Sequence, residues 1–125
     1  MKIVFLNGCY YSMEIDGVEF IDLAKETQQM VCHKIINNES CNISLMKKFV
    51  DDYNECDVGV ETTEYTSFNL EEMRNLCNHI IDSKDCSEST MQTLVSDFME
   101  TNGKCKDLGH CETCGSYNYE YKFIL

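Results

Sequence analysis

Residues 104–125 read KCKDLGHCETCGSYNYEYKFIL and carry the clearest local pattern in the chain. Cys111 and Cys114 are separated by two residues, and Gly115 follows directly. Glycine can take the positive φ that a tight turn requires, so two thiolates in such a turn can point at one ion. The pattern predicts a zinc-knuckle-like turn close to the C-terminus.

The residues after this turn alternate between apolar and polar side chains. The aromatic or aliphatic positions are Tyr117, Tyr119, Tyr121, Phe123 and Leu125. Successive side chains of a β-strand point to opposite faces of the sheet, so a period of two places all five on one face. The chain is therefore predicted to end in a strand that packs one face against a core.

Four side chains of this segment have the chemistry of zinc ligands, namely Cys105, His110, Cys111 and Cys114. A closed structural zinc site takes four ligands, and the three cysteines supply three of them. His110 has a suitable side chain, but it adjoins Cys111, and neighbouring residues rarely bind one tetrahedral ion. The fourth ligand can instead come from farther back in the chain, from Cys77, His79 or Cys86. Structural zinc is the expected cofactor, and the alternative is a metal-free turn with reduced thiols.

Length and composition describe one globular domain over residues 1–125. The chain has 43% hydrophobic residues and no apolar run of the roughly 18 residues that a membrane-spanning helix needs. Its first residues lack the apolar region of a signal peptide, so secretion is not expected. The nine cysteines are accordingly expected to be reduced in a cytoplasmic protein, some of them buried and some bound to metal.

The formal net charge is −12, from 22 acidic and 10 basic side chains. This charge disfavours direct binding to nucleic acid and to anionic membranes, and it favours a basic partner. Residues 49–73 contain no lysine or arginine. Their eight acids are Asp51, Asp52, Glu55, Asp57, Glu61, Glu64, Glu71 and Glu72. These carboxylates are the predicted partner-binding residues.

The rest of the chain indicates strands first and helices afterwards. Asn7-Gly8 and Asp16-Gly17 lie between β-prone runs and predict a three-stranded meander over residues 2–20. Helices are expected over residues 22–37 with Asp22 as the cap, 45–56 with Ser44 as the cap, 69–81 with Asn69 as the cap, and 89–101. Residues 58–66 are β-prone and fit an edge strand or a long loop. The fold class is therefore α+β, with the meander and the C-terminal strand in one small antiparallel sheet covered by about four helices.

Both ends of the chain resemble small acidic accessory proteins of phages and mobile elements of Gram-positive bacteria. The resemblance rests on residues 1–20, which begin Met1-Lys2-Ile3 and end Val18-Glu19-Phe20, and on Cys111 to Gly115 with the aromatic strand behind it. It covers about a third of the chain, and the middle segment matches no such family. The resemblance implies an inhibitor of host defence, of the anti-CRISPR kind, acting in the cytoplasm of the host cell.

Charge and resemblance together predict a protein-interaction module rather than an enzyme. Its carboxylates would take the place of nucleic-acid phosphates on a basic nucleic-acid-handling protein. A thiol-dependent or metal-dependent enzyme that uses Cys111 and Cys114 is one alternative. A zinc-stabilised subunit of a larger complex is another, and it would present an apolar rather than an acidic surface.

Overall fold

The structure is a computed structural model that describes residues 1–57 and 65–125. The described strands are β1 (Lys2–Asn7), β2 (Ser12–Ile15), β3 (Val18–Glu19), β4 (Lys104–His110) and β5 (Tyr117–Ile124). The described helices are α1 (Lys25–Ile36), α2 (Ile43–Cys56), α3 (Leu70–Asp82) and α4 (Glu88–Asn102), with a 3-10 turn at Phe20–Asp22. Four helices and an antiparallel sheet confirm the predicted α+β class.

The chain divides into two compact units. The first unit consists of Met1–Leu23 and Ser96–Leu125, so it holds all five described strands and the last turns of α4. The second unit is Ala24–Val95 and holds α1, α2, α3 and the beginning of α4. A single domain over residues 1–125 stays a prediction.

The sheet of the first unit joins the two ends of the chain. Its strand order is β3-β2-β1-β5-β4, and every pair is antiparallel. Lys2 lies opposite Ile124 and Asn7 opposite Tyr119, so the predicted pairing of the N-terminal meander with the C-terminal strand is confirmed. The end of β1 consequently lies beside the start of β5.

The C-terminal part of the apolar face of β5 packs as its alternation predicts, whereas Tyr117 at its start is exposed. The Tyr121 ring stacks on Phe5 with 5.7 Å between centroids, and Phe123 meets Phe98 of α4 edge to face at 4.9 Å. Phe5 and Phe98 are both buried. Aromatic pairs of this geometry contribute roughly 0.5–1.5 kcal/mol beyond the burial of their area. They fix the face of the sheet that turns inward.

The sequence pattern does not predict strand β4. Six of its seven residues pair with β5, with Cys105 opposite Tyr121 and a register shift between Asp107 and Gly109, yet all seven are exposed. A strand without a buried face has no apolar alternation, so no hydrophobic period marks it in the sequence. The backbone of β5 supplies the pairing instead.

Two helix starts differ from the prediction. Helix α2 begins after Asn42, whose side chain accepts the N–H of Leu45 at 2.8 Å, so Ser44 is not its cap. Asp22 lies in the 3-10 turn, and the extended Leu23 separates this turn from α1. Leu23 and Ala24 both have extended backbone, so a helix capped by Asp22 cannot continue through them, and Ala24 is the N-cap of α1.

Helix α3 agrees with the prediction in detail. Asn69 accepts the N–H of Glu72, and the Glu72 side chain accepts the N–H of Asn69, which is a complete capping box.

The β-prone segment 58–66, with Glu61 and Glu64, lies outside the described residues except for its last two positions. Among the described residues, every helix is too short or too polar to cross a lipid bilayer.

Candidate metal centre and acidic residues

Three cysteine sulfurs meet at one end of the sheet. The Sγ atoms of Cys9, Cys111 and Cys114 all lie within 4.8 Å of one another. Cys9 follows β1, whereas Cys111 and Cys114 lie in the turn between β4 and β5. The antiparallel pairing of β1 with β5 brings residues that are 105 positions apart into one cluster, called here the cysteine cluster.

Backbone hydrogen bonds close the turn that carries two of these cysteines. The N–H of Cys111 donates to the carbonyl of Ser116 at 2.8 Å, and the N–H of Gly115 donates to the carbonyl of Cys111 at 2.9 Å. Gly115 has φ +77°, a conformation that other residues resist, so the predicted role of this glycine is confirmed. The result is a knuckle-like turn.

Cys9 reaches the turn through close contacts between two strand ends. Its backbone N–H donates to Oδ1 of Asn118 at 2.7 Å. Gly8 has φ +147°, and a Cβ built there would stand 2.7 Å from the carbonyl oxygen of Tyr117. Only glycine permits this approach, which places Cys9 beside Cys114.

The turn also favours the charged form of one sulfur. Hydrogen bonds from the backbone N–H groups of Cys114 and then Thr113 lower the pKa of the Cys111 thiol from its ordinary value. Donors aimed at a sulfur stabilise the thiolate, which is the form that binds metal.

The sulfurs of Cys9 and Cys114 are at bonding distance, so the cysteine cluster has two chemical states. One is a Cys9–Cys114 disulfide beside a free Cys111, and the other is an ion shared by three thiolates. The Cα atoms of Cys9 and Cys114 are 7.1 Å apart, whereas ordinary disulfides have Cα separations of roughly 4.4–6.8 Å. In a zinc site two sulfurs stand about 3.8 Å apart, as bonds of about 2.3 Å require. Because the sulfurs of Cys9 and Cys114 stand at bonding distance, they would have to separate as thiolates to share an ion, and the three cysteines are a candidate metal-binding cluster in the reduced chain.

A cleft of about 520 Å³ adjoins the three sulfurs, and Tyr10, Thr113 and Ser116 line it with them. Three protein ligands leave one position of a tetrahedral ion for a further donor, and this cleft gives access to it. An ion bound by the three thiolates could therefore take a fourth ligand from outside the cluster.

Two residues of the predicted ligand set are not part of the cysteine cluster. Cys105 is exposed on β4 opposite Tyr121, and its side chain hydrogen-bonds that tyrosine. His110 is exposed, and its ring meets Tyr117 at 5.1 Å between centroids. Because β4 is extended, Cys105 lies roughly 15–20 Å of strand away from the turn. Cys111 and Cys114 are brought together, with Cys9 as their third partner.

The alternative fourth ligands lie in the second unit. Cys77 is buried, and its Sγ donates to the carbonyl of Met46 at 3.6 Å. Burial raises the pKa of the Cys86 thiol to about 12 and that of Cys77 further still. His79 is exposed on α3. The two cysteines behave as small apolar core residues with neutral thiols.

The sequence contains a pattern that places Cys9 near the turn of Cys111 and Cys114. The predicted sheet already places the N-terminal meander beside the C-terminal strand. Following that antiparallel pairing beyond the end of β1 leads from Asn7 to Cys9 and across to the turn before Tyr117. Proximity along the chain, by contrast, points to Cys105 and His110.

The eight predicted partner-binding acids have different surroundings. Asp57 is half-buried, and its Oδ2 accepts the Thr90 hydroxyl at 2.7 Å and the Ser87 N–H at 3.3 Å beside the start of α4. Glu72 completes the α3 capping box. These two carboxylates therefore have structural roles inside the second unit.

The other described acids face solvent on α2 and α3. Asp51 accepts the hydroxyl of Tyr65, and Asp52 pairs with Lys48 at 3.1 Å. Glu55 and Glu71 are exposed and make no hydrogen bond or ion pair within the described parts of the chain. Glu61 and Glu64 lie outside the described residues.

A scan against protein-family models gives no match for this chain, and searches of curated proteins and of solved structures give none either.

Proposed function

We propose that this protein is a non-catalytic, acidic interaction module that binds and inhibits a basic nucleic-acid-handling protein. Its carboxylates would occupy the positions of nucleic-acid phosphates on that partner, in the cytoplasm of a bacterial host. The proposal carries forward the likeness of both chain ends to phage accessory proteins. The observation that supports it most strongly is the acidic C-terminal half of α2.

The acids of α2 lie where they do not stabilise the helix. The C-terminal end of a helix carries partial negative charge, so a nearby carboxylate is unfavourable by a few tenths of a kcal/mol or more. Glu55 lies in the last turn of α2, and that turn contains no basic residue. Asp51 and Asp52 precede it by one turn. A positively charged partner surface would offset this cost.

Long-range charge supports the same class of partner. The net charge of −12 raises the encounter rate with a basic surface and repels free nucleic acid. Binding of this kind should weaken steeply between about 50 and 200 mM salt, because the Debye length falls with ionic strength.

The proposed cofactor is one structural zinc ion held by Cys9, Cys111 and Cys114, with a fourth donor from outside the cysteine cluster completing the tetrahedral site. Three thiolates suit zinc, and a bound ion would tie the end of β1 to the turn before β5. Zinc here would stabilise the fold rather than act on a substrate. Glu112 is the one acid within the turn, and it is exposed.

A thiol-dependent enzyme is the second candidate, because Cys111 has a lowered pKa beside two sulfurs at bonding distance. Redox enzymes with a Cys-x-x-Cys motif place the first cysteine at a helix N-terminus. Here the motif lies between two strands. A thiol titration separates the candidates, since a catalytic thiolate reacts rapidly and a zinc-bound one is protected.

The function is tested by affinity capture from a nuclease-treated bacterial lysate at low and at high salt. The bait is the full chain, and the informative variant is Glu55→Gln/Glu71→Gln, which leaves the Tyr65–Asp51 hydrogen bond in place. The matched control is Glu26→Gln/Glu39→Gln, which removes the same charge from other exposed positions of the second unit. We expect basic nucleic-acid-binding proteins to be captured by the wild type and the control and lost with the variant. Equal capture by all three baits, or capture that is unchanged by salt, would contradict the proposal.

A further inference from the structure

The lysines of the first unit all lie on one face of the sheet. The unit contains four basic residues, Lys2, Lys104, Lys106 and Lys122. Lys104 lies opposite Lys122, so these two share a face, and Lys106 shares it because it is two residues from Lys104. Val4 also lies opposite Lys122, and Lys2 is two residues from Val4, so Lys2 lies on the same face. Phe5 and Tyr121 turn to the other face, which is the packed one. Three of these lysines, Lys104, Lys106 and Lys122, lie together on β4 and β5 and form a basic end of this face in a protein that is strongly acidic as a whole.

The excess of positive charge is at the β4 end of this face, where Lys104, Lys106 and Lys122 stand against one acid, Glu120; Glu14 and Glu19 share the face at its other end. Lys104 and Lys122 are direct cross-strand neighbours, and like charges in that position destabilise a sheet. Lys122 pairs with Glu120 at 3.3 Å. Within the described parts of the chain, no ion pair engages Lys104 or Lys106. A cleft of about 300 Å³ lies among these side chains.

The same residues belong to an open sheet edge. Strand β4 is the last strand in the order β3-β2-β1-β5-β4, and all of its residues are exposed. The opposite edge is β3, which has two residues. An edge strand presents unpaired N–H and C=O groups that can pair with a further strand. Strand β4 is therefore the edge long enough to accept one.

We propose that β4 binds an extended acidic segment of a partner protein as an added strand. Carboxylates at every second position of that segment would face Lys104 and Lys106, since alternate residues of both strands share one face. Backbone hydrogen bonds to β4 would supply affinity, and the lysines would supply the preference for acidic sequences. The proposal uses none of the acids of α2, so it does not depend on the proposed function.

Electrostatic interactions favour an acidic strand at β4 over a second copy of the chain and over nucleic acid. A second copy of the chain would bring another net charge of −12 to the same edge, and pairing centred on Cys105 would place Lys104 against Lys106. Nucleic acid, which carries a charge on every nucleotide, would extend over the face and meet Glu14, Glu19 and Glu120 beside the lysines. A single acidic strand added at β4 would lie next to Lys104 and Lys106, whereas Glu14 of β2 is three strands away from β4.

The probe is a synthetic peptide of about nine residues that alternates glutamate and threonine, titrated into the full-length protein labelled with ¹⁵N. We expect amide shifts concentrated in β4 and slower hydrogen exchange there. Lys104→Glu/Lys106→Glu should weaken binding at least about fivefold. Lys34→Glu/Lys84→Glu, with the same change of charge at exposed positions of the second unit, should leave it unchanged.

Two further peptides separate strand addition from simple charge attraction. One has the same composition with its glutamates grouped at one end, and the other is N-methylated at every second residue, which blocks backbone pairing. Both should bind at least about fivefold more weakly. Equal binding of all three peptides would overturn the proposal, and so would equal binding by the Lys104→Glu/Lys106→Glu protein. Tighter binding of single-stranded DNA, or dimerisation through β4 in sedimentation experiments, would also overturn it.

Discussion

The side chain of Asn118 accepts the backbone N–H of Cys9 at 2.7 Å, across the two strand ends that the sheet brings together. Asn118 stands just inside β5, and Cys9 stands just beyond β1. This single bond connects the register of the sheet to the position of a sulfur. Metal affinity should therefore depend on a residue that is not itself a ligand.

Replacement of that asparagine should weaken metal binding without unfolding the protein. Asn118→Leu removes the acceptor that holds Cys9, and loss of a group that orients a ligand typically lowers metal affinity about 10–100-fold. Competition with a chromogenic zinc chelator measures this affinity. The helical circular dichroism should stay the same, and unchanged zinc affinity would show that Asn118 does not position Cys9.

A methyl group at Gly8 should destabilise the first unit more than one at Gly17. Both glycines have positive φ, but a Cβ at Gly8 would meet the carbonyl of Tyr117, whereas a Cβ at Gly17 meets nothing within 4 Å. Gly17→Ala isolates the conformational cost of about 1 kcal/mol, and Gly8→Ala adds a steric conflict of about 1–3 kcal/mol. Urea unfolding gives both values. Equal losses would mean that the strand ends are not in close contact.

Substitution of two acids in the same segment should change the free energy of unfolding by very different amounts. Asp57→Ala removes the acceptor for Ser87 and Thr90 and should lower the free energy of unfolding by about 2–3 kcal/mol. Glu55→Gln should change it by less than about 0.5 kcal/mol, because Glu55 is exposed and unbonded in the described structure. Thermal unfolding compares the two. A large loss for Glu55→Gln would give that residue a structural role and remove it from the proposed docking surface.

The Tyr65–Asp51 hydrogen bond should make stability depend on alkaline pH. The bond to Asp51, with some contribution from burial, raises the pKa of Tyr65 to about 12 from its ordinary value of 10.0. A raised pKa contributes stability that is fully present below pH 10 and disappears as the pH rises through about 12. Tyr65→Phe should therefore cost about 1–2 kcal/mol at pH 7 and progressively less above pH 10. Urea unfolding at several pH values tests this, and a cost independent of pH would contradict it.

Much of the fold could be predicted because its signals are local. The capping box at Asn69, the turn at Asp16-Gly17 and the alternation of β5 each arise from neighbouring residues. Strand β4 has no such signal, because a strand exposed on both faces needs no apolar period. Its existence depends on the backbone of β5.

The candidate site could be predicted only in part for a similar reason. Cys111, Cys114 and Gly115 form a short motif that the sequence displays directly. Cys9 joins them only through the pairing of β1 with β5. The structural roles of Asp57 and Glu72 could not be predicted either, because the sequence shows that these residues are acidic but not which of them accept hydrogen bonds within the fold.

Zinc content of the purified protein, measured with its thiols kept reduced, tests the central claim most directly. We expect one zinc per wild-type chain, little or none in Cys9→Ser or Cys114→Ser, and full content in Cys105→Ser and His110→Ala, whose side chains lie outside the cysteine cluster. Removal of the ion with a chelator should lower the unfolding temperature of the wild type and leave that of Cys9→Ser unchanged. A wild-type chain without metal, or one that keeps its zinc in Cys9→Ser and loses it in Cys105→Ser, would contradict the proposed metal centre.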